Sequence, residues 1–393
     1  MRNTRLKMLL ALIAAILACA VLPRAALSES PALSFDPANL ERGMQICLGR
    51  DEGHSSLIWR VLDADSRRAL LITKNVIMVN SMYSSGYEFM FAEPEQAYNE
   101  DYSVIALDSW DKANLKVLCT KLAGLWKAGE PYSIEFRALL PYTAEETENY
   151  RAGRFGLEFL PAPLDGETFF VLSAKEAEQY FDGEADRVCR TGDGGESWWW
   201  LRSQVLHNSP FFDRSYIYGV VDDAGWLNSL DVAAERGFPC AGFRPGCQLA
   251  LDRVLFMTAV EAGKPKLSAE EAKMKPIDSG DYNTWKLTLL EDWKFQADAS
   301  PLSAEPGGSM TVSYTNAKKN RSSAVSVIIC SREGTPLYYG SLQIGQEEGA
   351  VEFPVPQDIA PGEYVVRAFN EIRYDEQNSD AASPMTDIPL TVR

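Results

Sequence analysis

The sequence predicts an α+β domain followed by an all-β sandwich of immunoglobulin type, on three observations. Helix-like and strand-like patterns mix between about residues 40 and 262, whereas residues 283–393 hold only short β-rich runs punctuated by Gly, Pro and Asn turns. Between them Glu261 to Gly280 (EAGKPKLSAEEAKMKPIDSG) is polar and free of aromatic residues, the texture of a linker expected over 263–282. A chain of 393 residues also has room for two or three domains of about 150 residues each.

The chain opens with Arg2, Arg5 and Lys7, then an uncharged apolar run from Met8 to Leu22, then small residues at Ala25, Ala26 and Ser28. This is the pattern of an export signal, expected to be removed after Ser28 and to send the protein out of the cell or onto its surface. The run stops at Pro23 and Arg24, short of the roughly 20 apolar residues that a spanning helix needs. Ile16 to Cys19 (ILAC) is a poor lipoprotein box because Ala20, Val21 and Leu22 continue the apolar run. No later segment reads as a membrane span.

With 38 Lys+Arg against 55 Asp+Glu the formal charge is -17, which gives no electrostatic drive toward nucleic-acid phosphates. Signal cleavage would leave six of the seven cysteines: Cys47, Cys119, Cys189, Cys240, Cys247 and Cys330. Export permits bridges, but spacing alone assigns none. There is no CxxC, and His54 and His207 stand apart from any cysteine cluster, so neither a metal nor a cofactor is expected.

In the first domain, Leu57 to Leu62 and Ala69 to Ile77 read as two strands around the turn Asp63 to Arg68 (DADSRR). Asp108 to Trp126 places Leu115, Leu118, Leu122 and Leu125 at helical spacing, with Asp108 or Ser109 as cap. Thr143 with Glu146, and Ser173 with Glu176, each form a capping box expected to open a helix. In the second domain seven strands are expected, beginning near Trp285, Ser309, Ala324, Leu337, Ala350, Glu363 and Thr386. Cys330 stands alone there, without the Cys, Trp, Cys arrangement of antibody domains.

The densest constellation is Glu196 to Ser203 (ESWWWLRS). In an extended segment Trp198, Trp200 and Arg202 share one face, and Trp199, Leu201 and Ser203 the other. Two readings stand: a core strand whose arginine is held by buried acceptors, or an aromatic platform with an adjacent donor suited to a sugar ring. A second aromatic group, Phe211, Phe212, Tyr216, Tyr218 and Trp226, surrounds the turn Asp222 to Gly225 (DDAG). That acidic turn lacks the ligand spacing of a calcium loop.

FFVLSAKEAEQYF (Phe169 to Phe181), WWWLRS (Trp198 to Ser203), YIYGVVDDAG (Tyr216 to Gly225) and GFRPGCQL (Gly242 to Leu249), in this order, resemble the exported bacterial domain of unknown function family 6273. Ile58 to Ile77 and Ser109 to Lys116 are similar to its early motifs, so the resemblance covers about residues 43–260. WWWLRS followed by GFRPG is also similar to formylglycine-generating enzymes and C-type-lectin-like folds. The resemblance implies a C-type-lectin-like domain with a twisted antiparallel sheet, in which Trp198, Trp199, Trp200, Arg202, Phe243, Arg244 and Pro245 form a structural motif. The chain departs from the family at Gln204, Val205 and Gly246, and it lacks the calcium motifs of sugar-binding lectins.

Enzyme signatures are sparse. No GxSxG, HExxH or phosphate-cradling loop occurs, and a nucleophile would have only His54 or His207 as its base. Cys240 and Cys247 lie near the motif where a copper oxidase of the formylglycine-generating class would need paired thiols. The expected function is non-enzymatic binding of a glycan or surface polymer, with Arg202, Phe211, Phe212, Tyr216 and Trp226 as contacts. The alternatives are such an oxidase, a carbohydrate-active hydrolase, and a purely structural adhesin segment.

Overall fold

A computed structural model describes residues 30–51, 55–77, 114–129, 131–206, 217–230, 241–262, 264, 274–374 and 378–393. Three antiparallel strands start the architecture: β1 (Gln45–Arg50), β2 (Ser56–Ala64) and β3 (Arg68–Thr73). The β2–β3 turn closes on Asp65, whose Oδ1 accepts the backbone N–H groups of Arg67 and Arg68 at 2.7 and 3.0 Å. Both faces of this meander are covered, which is why β3 is buried over nearly its whole length. Ala69 and Leu71 join one core, and Leu70 and Ile72 join the other.

Helix α1 (Asn114–Lys127) covers the first face with Leu115, Cys119, Leu122 and Trp126, an i, i+4, i+7 stripe. The Trp126 indole donates to the Arg50 carbonyl at 2.9 Å and packs edge-on against Trp59, 6.1 Å between centroids. Gly49 lies beneath it at φ +69°, and a Cβ there would fall 1.7 Å from the indole, so only glycine fits. Helix α2 (Tyr132–Arg137) follows and buries Ile134 and Glu135.

A five-stranded antiparallel sheet covers the second face. Its strands are β4 (Tyr150–Ala152) and β5 (Leu157–Phe159), then, beyond strand β6 (Phe169–Phe170) and helix α3 (Ala174–Gln179), β7 (Trp199–Val205), β8 (Ile217–Val221) and β9 (Leu227–Leu230). Their order is β9-β8-β7-β5-β4. The sheet curls until its edges approach: a Cβ on Gly153, just past β4, would lie 2.4 Å from the Leu227 carbonyl at the start of β9. Strands β10 (Gly246–Ala250) and β11 (Val254–Ala259) lead to the second region.

The second region enters through β12 (Met274–Pro276) and β13 (Thr284–Leu290). It continues with β14 (Ser309–Thr315), β15 (Ser323–Ser331), β16 (Pro336–Ile344), β17 (Gly349–Pro354), β18 (Gly362–Ile372), β19 (Asp380–Ala382) and β20 (Thr386–Val392). Strand β14 alternates exposed and buried residues and pairs with β17 in a small outer sheet. Strand β15 is covered on both faces: Val325, Val327 and Ile329 meet Val312, Val351 and Phe353, while Ile328 and Cys330 meet Phe256 and Phe369 of another core.

One sheet joins the two regions, in the order β6-β10-β3-β2-β1-β13-β19-β18-β15-β16-β12. Strand β13 is its keystone. Thr284 to Lys286 pair in parallel with β1, Thr288 to Leu290 pair in parallel with β19, and the opposite edge takes β11 antiparallel. The described end of the stretch expected to be a linker, residues 274–282, is drawn into this frame, for β12 pairs with β16 and Ser279–Gly280 pairs with Ser30–Pro31.

The expectation of an α+β, C-type-lectin-like first domain is overturned, because among the described residues strands dominate both regions and helices are few. The capping boxes show why. Ser173 and Glu176 make both reciprocal bonds and open α3. Thr143 instead lies in a short strand, Tyr142–Ala144, and Glu146 turns away to bind Arg202 and the backbone of Ala162. The local helix signal at Thr143 loses to a buried arginine that needs a carboxylate. The expected cap at Asp108 or Ser109 lies outside the described residues.

Candidate functional site

The tryptophan run forms a scaffold. Trp199 and Trp200 are fully enclosed, on opposite faces of β7 in different cores, and Trp198 is half-buried. Trp199 donates its indole N–H to the Arg187 carbonyl at 3.1 Å. Arg244 stacks 4.8 Å from the Trp199 ring and 5.5 Å from Phe181, and its Nε donates to the Thr73 carbonyl at 3.0 Å. Phe243 and Pro245 flank it in the interior. The guanidinium thus ties β3 to the five-stranded sheet.

Arg202 was expected among the ligand contacts, and its position corrects that. Its side chain is 0% exposed, and every direction is taken. Nε donates to the Ala162 carbonyl at 2.6 Å, Nη1 to the Val171 carbonyl at 2.8 Å, and Nη2 to Glu146 and Glu176 at 3.0 and 2.9 Å. Tyr142 completes the cluster by donating to Glu176 Oε1 at 2.9 Å. Such a group orders the core and has no donor left for a ligand.

Trp226 is differently placed. It follows the Asp222–Gly225 turn, whose carboxylate accepts the N–H groups of Ala224 and Trp226 at 3.1 and 2.8 Å. The indole is half-buried, and the Arg154 guanidinium lies 5.9 Å from its centroid. Arg154 belongs to the tight β4–β5 turn, Gly153 to Gly156, which the curl of the sheet carries across to β9. Phe155, at the same turn, is 74% exposed, the most open large apolar side chain among the described residues. The sequence reading missed Phe155 and Arg154. The signal for them was a lone aromatic inside AGRFG, where a glycine turn leaves no strand face to hide it. Phe211, Phe212 and Tyr216, and with them His207, lie outside the described residues.

The described thiols lie in the interior. Cys47, Cys119, Cys189, Cys247 and Cys330 are free and buried. Burial pushes Cys47 up to about 11 and Cys330 up to about 12, and raises Cys247 well above the ordinary thiol value. Cys247 sits on β10 between Leu71 and Phe169, so the thiol invoked for a copper oxidase has no route to a substrate. Cys240 lies outside the described residues. Among the described residues no cluster of three His, Cys, Asp or Glu side chains is placed to hold a metal, and no helix is long and apolar enough to cross a membrane.

No family model matches the chain, and no curated protein matches it. Among solved structures the crystal structure of the E. coli chaperone DraB is similar at a TM-score of 0.18 and 13% identity, over 27% of this chain. The match spans only 57% of DraB, and a likeness so slight carries no weight for fold or function.

Proposed function

We propose that the protein is exported, as its resemblance to family 6273 also implies, and acts outside the cell as a non-enzymatic binding module for a glycan or surface polymer. Its contact surface in this reading is the corner formed by Trp226, Arg154 and Phe155. The observation that supports it is a 74% exposed phenylalanine in the same turn as Arg154, whose guanidinium lies over the Trp226 ring. Leaving such a side chain in water forgoes roughly 1.5–3 kcal/mol of burial. An aromatic face takes the C–H side of a sugar ring, while Arg154 and the exposed Asp223 of the DDAG turn can bond its hydroxyls. Trp226→Ala and Phe155→Ala are expected to abolish retention on a glycan array while the melting temperature stays within a few degrees. Silence of the wild-type protein across a broad array, or unchanged retention by both variants, would overturn the reading.

A further inference from the structure

The strongest unexplained chemistry lies at the seam between the two regions. Lys264 Nζ sits 2.8 Å from Asp380 Oδ2, 2.8 Å from Glu371 Oε2 and 2.8 Å from Thr288 Oγ1. The two carboxylates are 0% exposed and the lysine 6%. Phe256 and Tyr339 wall the ammonium, their centroids 4.7 and 6.0 Å away. Burying so many charges is expensive, and replacement by apolar groups is often neutral or better for stability. The arrangement therefore asks for a purpose beyond packing.

The hydrogen bonding is asymmetric in an informative way. Asp380 Oδ1 accepts the Tyr374 backbone N–H at 2.9 Å and pairs with Lys286 Nζ at 2.9 Å. Asp380 Oδ2, although 2.8 Å from Lys264, has no aligned hydrogen-bond donor. Glu371 Oε1 is occupied by Ser326, Tyr339 and Arg373 at 2.6, 2.7 and 2.9 Å, which leaves Oε2 facing Lys264. One carboxyl oxygen is thus braced by two donors, the other is loosely held, and a nucleophile and a proton carrier stand beside it.

We propose that Lys264 and Asp380 join in an intramolecular amide bond, with Glu371 as the proton carrier. The ammonium passes one proton through Glu371 Oε2 to Asp380 Oδ2. The freed nitrogen lone pair attacks the carboxyl carbon, and the negative charge developing on Oδ1 is met by the Tyr374 N–H and Lys286. A second proton travels by the same route to Oδ2, the C–Oδ2 bond breaks, and water departs. The nitrogen keeps its third hydrogen, Glu371 ends as it began, and an ammonium and a carboxylate become one neutral amide and one water. No oxidant or other reactant is needed. The dry, preorganised pocket favours the step because it holds the reacting atoms in contact and removes two buried charges. The product would staple Lys264, beside the end of β11, to β19, a covalent brace for a protein working outside the cell, where the described cysteines form none.

The test is intact mass and peptide mapping of the purified full chain under denaturing conditions. The expected result is a mass lower by one water than the sequence requires and a joined peptide containing Lys264 and Asp380, with Lys264 resistant to trypsin. Lys264→Arg, Asp380→Ala and Glu371→Gln are each expected to restore the full mass. Separate, unmodified peptides carrying Lys264 and Asp380 in the wild-type digest would overturn the proposal whether or not any variant folds. So would a joined peptide carrying Lys286 in place of Lys264, or a water loss that persists in Lys264→Arg.

Discussion

Arg202 on β7 and Glu176 on α3 meet fork to fork inside the first region, with Nη2 2.9 Å from Oε1 and Nη1 bonded to Oε2. Burial alone would raise the Glu176 carboxyl, but the Arg202 charge and the bonds from Arg202, Ser173 and Tyr142 outweigh it and hold the group below the usual carboxylate range. A depressed folded value means this stability is present above the unfolded value and is lost only as pH falls through the folded one. Glu176→Ala is expected to cost about 3–5 kcal/mol, because it strands a buried guanidinium. An unfolding free energy from denaturant titration lowered by less than a third of that would show the pair to be marginal.

Glu135 on α2 carries the opposite sign. Its Oε1 accepts the Ser379 N–H at 2.8 Å across the seam, while Oε2 has no partner. Burial, opposed by bonds from Ser379 and Gly49 and by the Lys286 charge, pushes the carboxyl up to about 7. The folded state therefore holds the proton more tightly than the unfolded chain. Its contribution is complete below about pH 4.5 and falls by about 3 kcal/mol as pH rises toward 7. Glu135→Gln is expected to flatten this slope, so melting curves at pH 5 and pH 8 should differ less in the variant than in the wild type.

The keystone position of β13 makes a prediction about cutting the chain. A fragment of residues 40–262 would leave β1 and β11 without their shared partner, and a fragment of 283–393 would strip β13 of its pairing with both. Neither piece is expected to show a cooperative thermal transition, whereas the full chain should melt in one. Two well-separated transitions in the full chain would restore the picture of independent domains joined by a linker.

Thiol chemistry offers a fourth measurement. Cys47, Cys119, Cys189, Cys247 and Cys330 are expected to resist alkylation in the native protein and to react fully once it is unfolded without reductant. Peptides found disulfide-linked at any of these positions would contradict the structure.

What the sequence determined was local. The turn Asp63 to Arg68, the Ser173 capping box and the alternation of β14 could be read directly, because each depends on neighbours a few residues apart. The tertiary structure decided which local signals prevailed. Glu146 gave up a helix cap for Arg202, 56 residues away, and Arg202 itself became a core anchor once two carboxylates enclosed it. Arg154 and Trp226, 72 positions apart, came to one corner only because the five-stranded sheet curls. Burial and charge pairing are summed over the whole fold, so no window of sequence contains them.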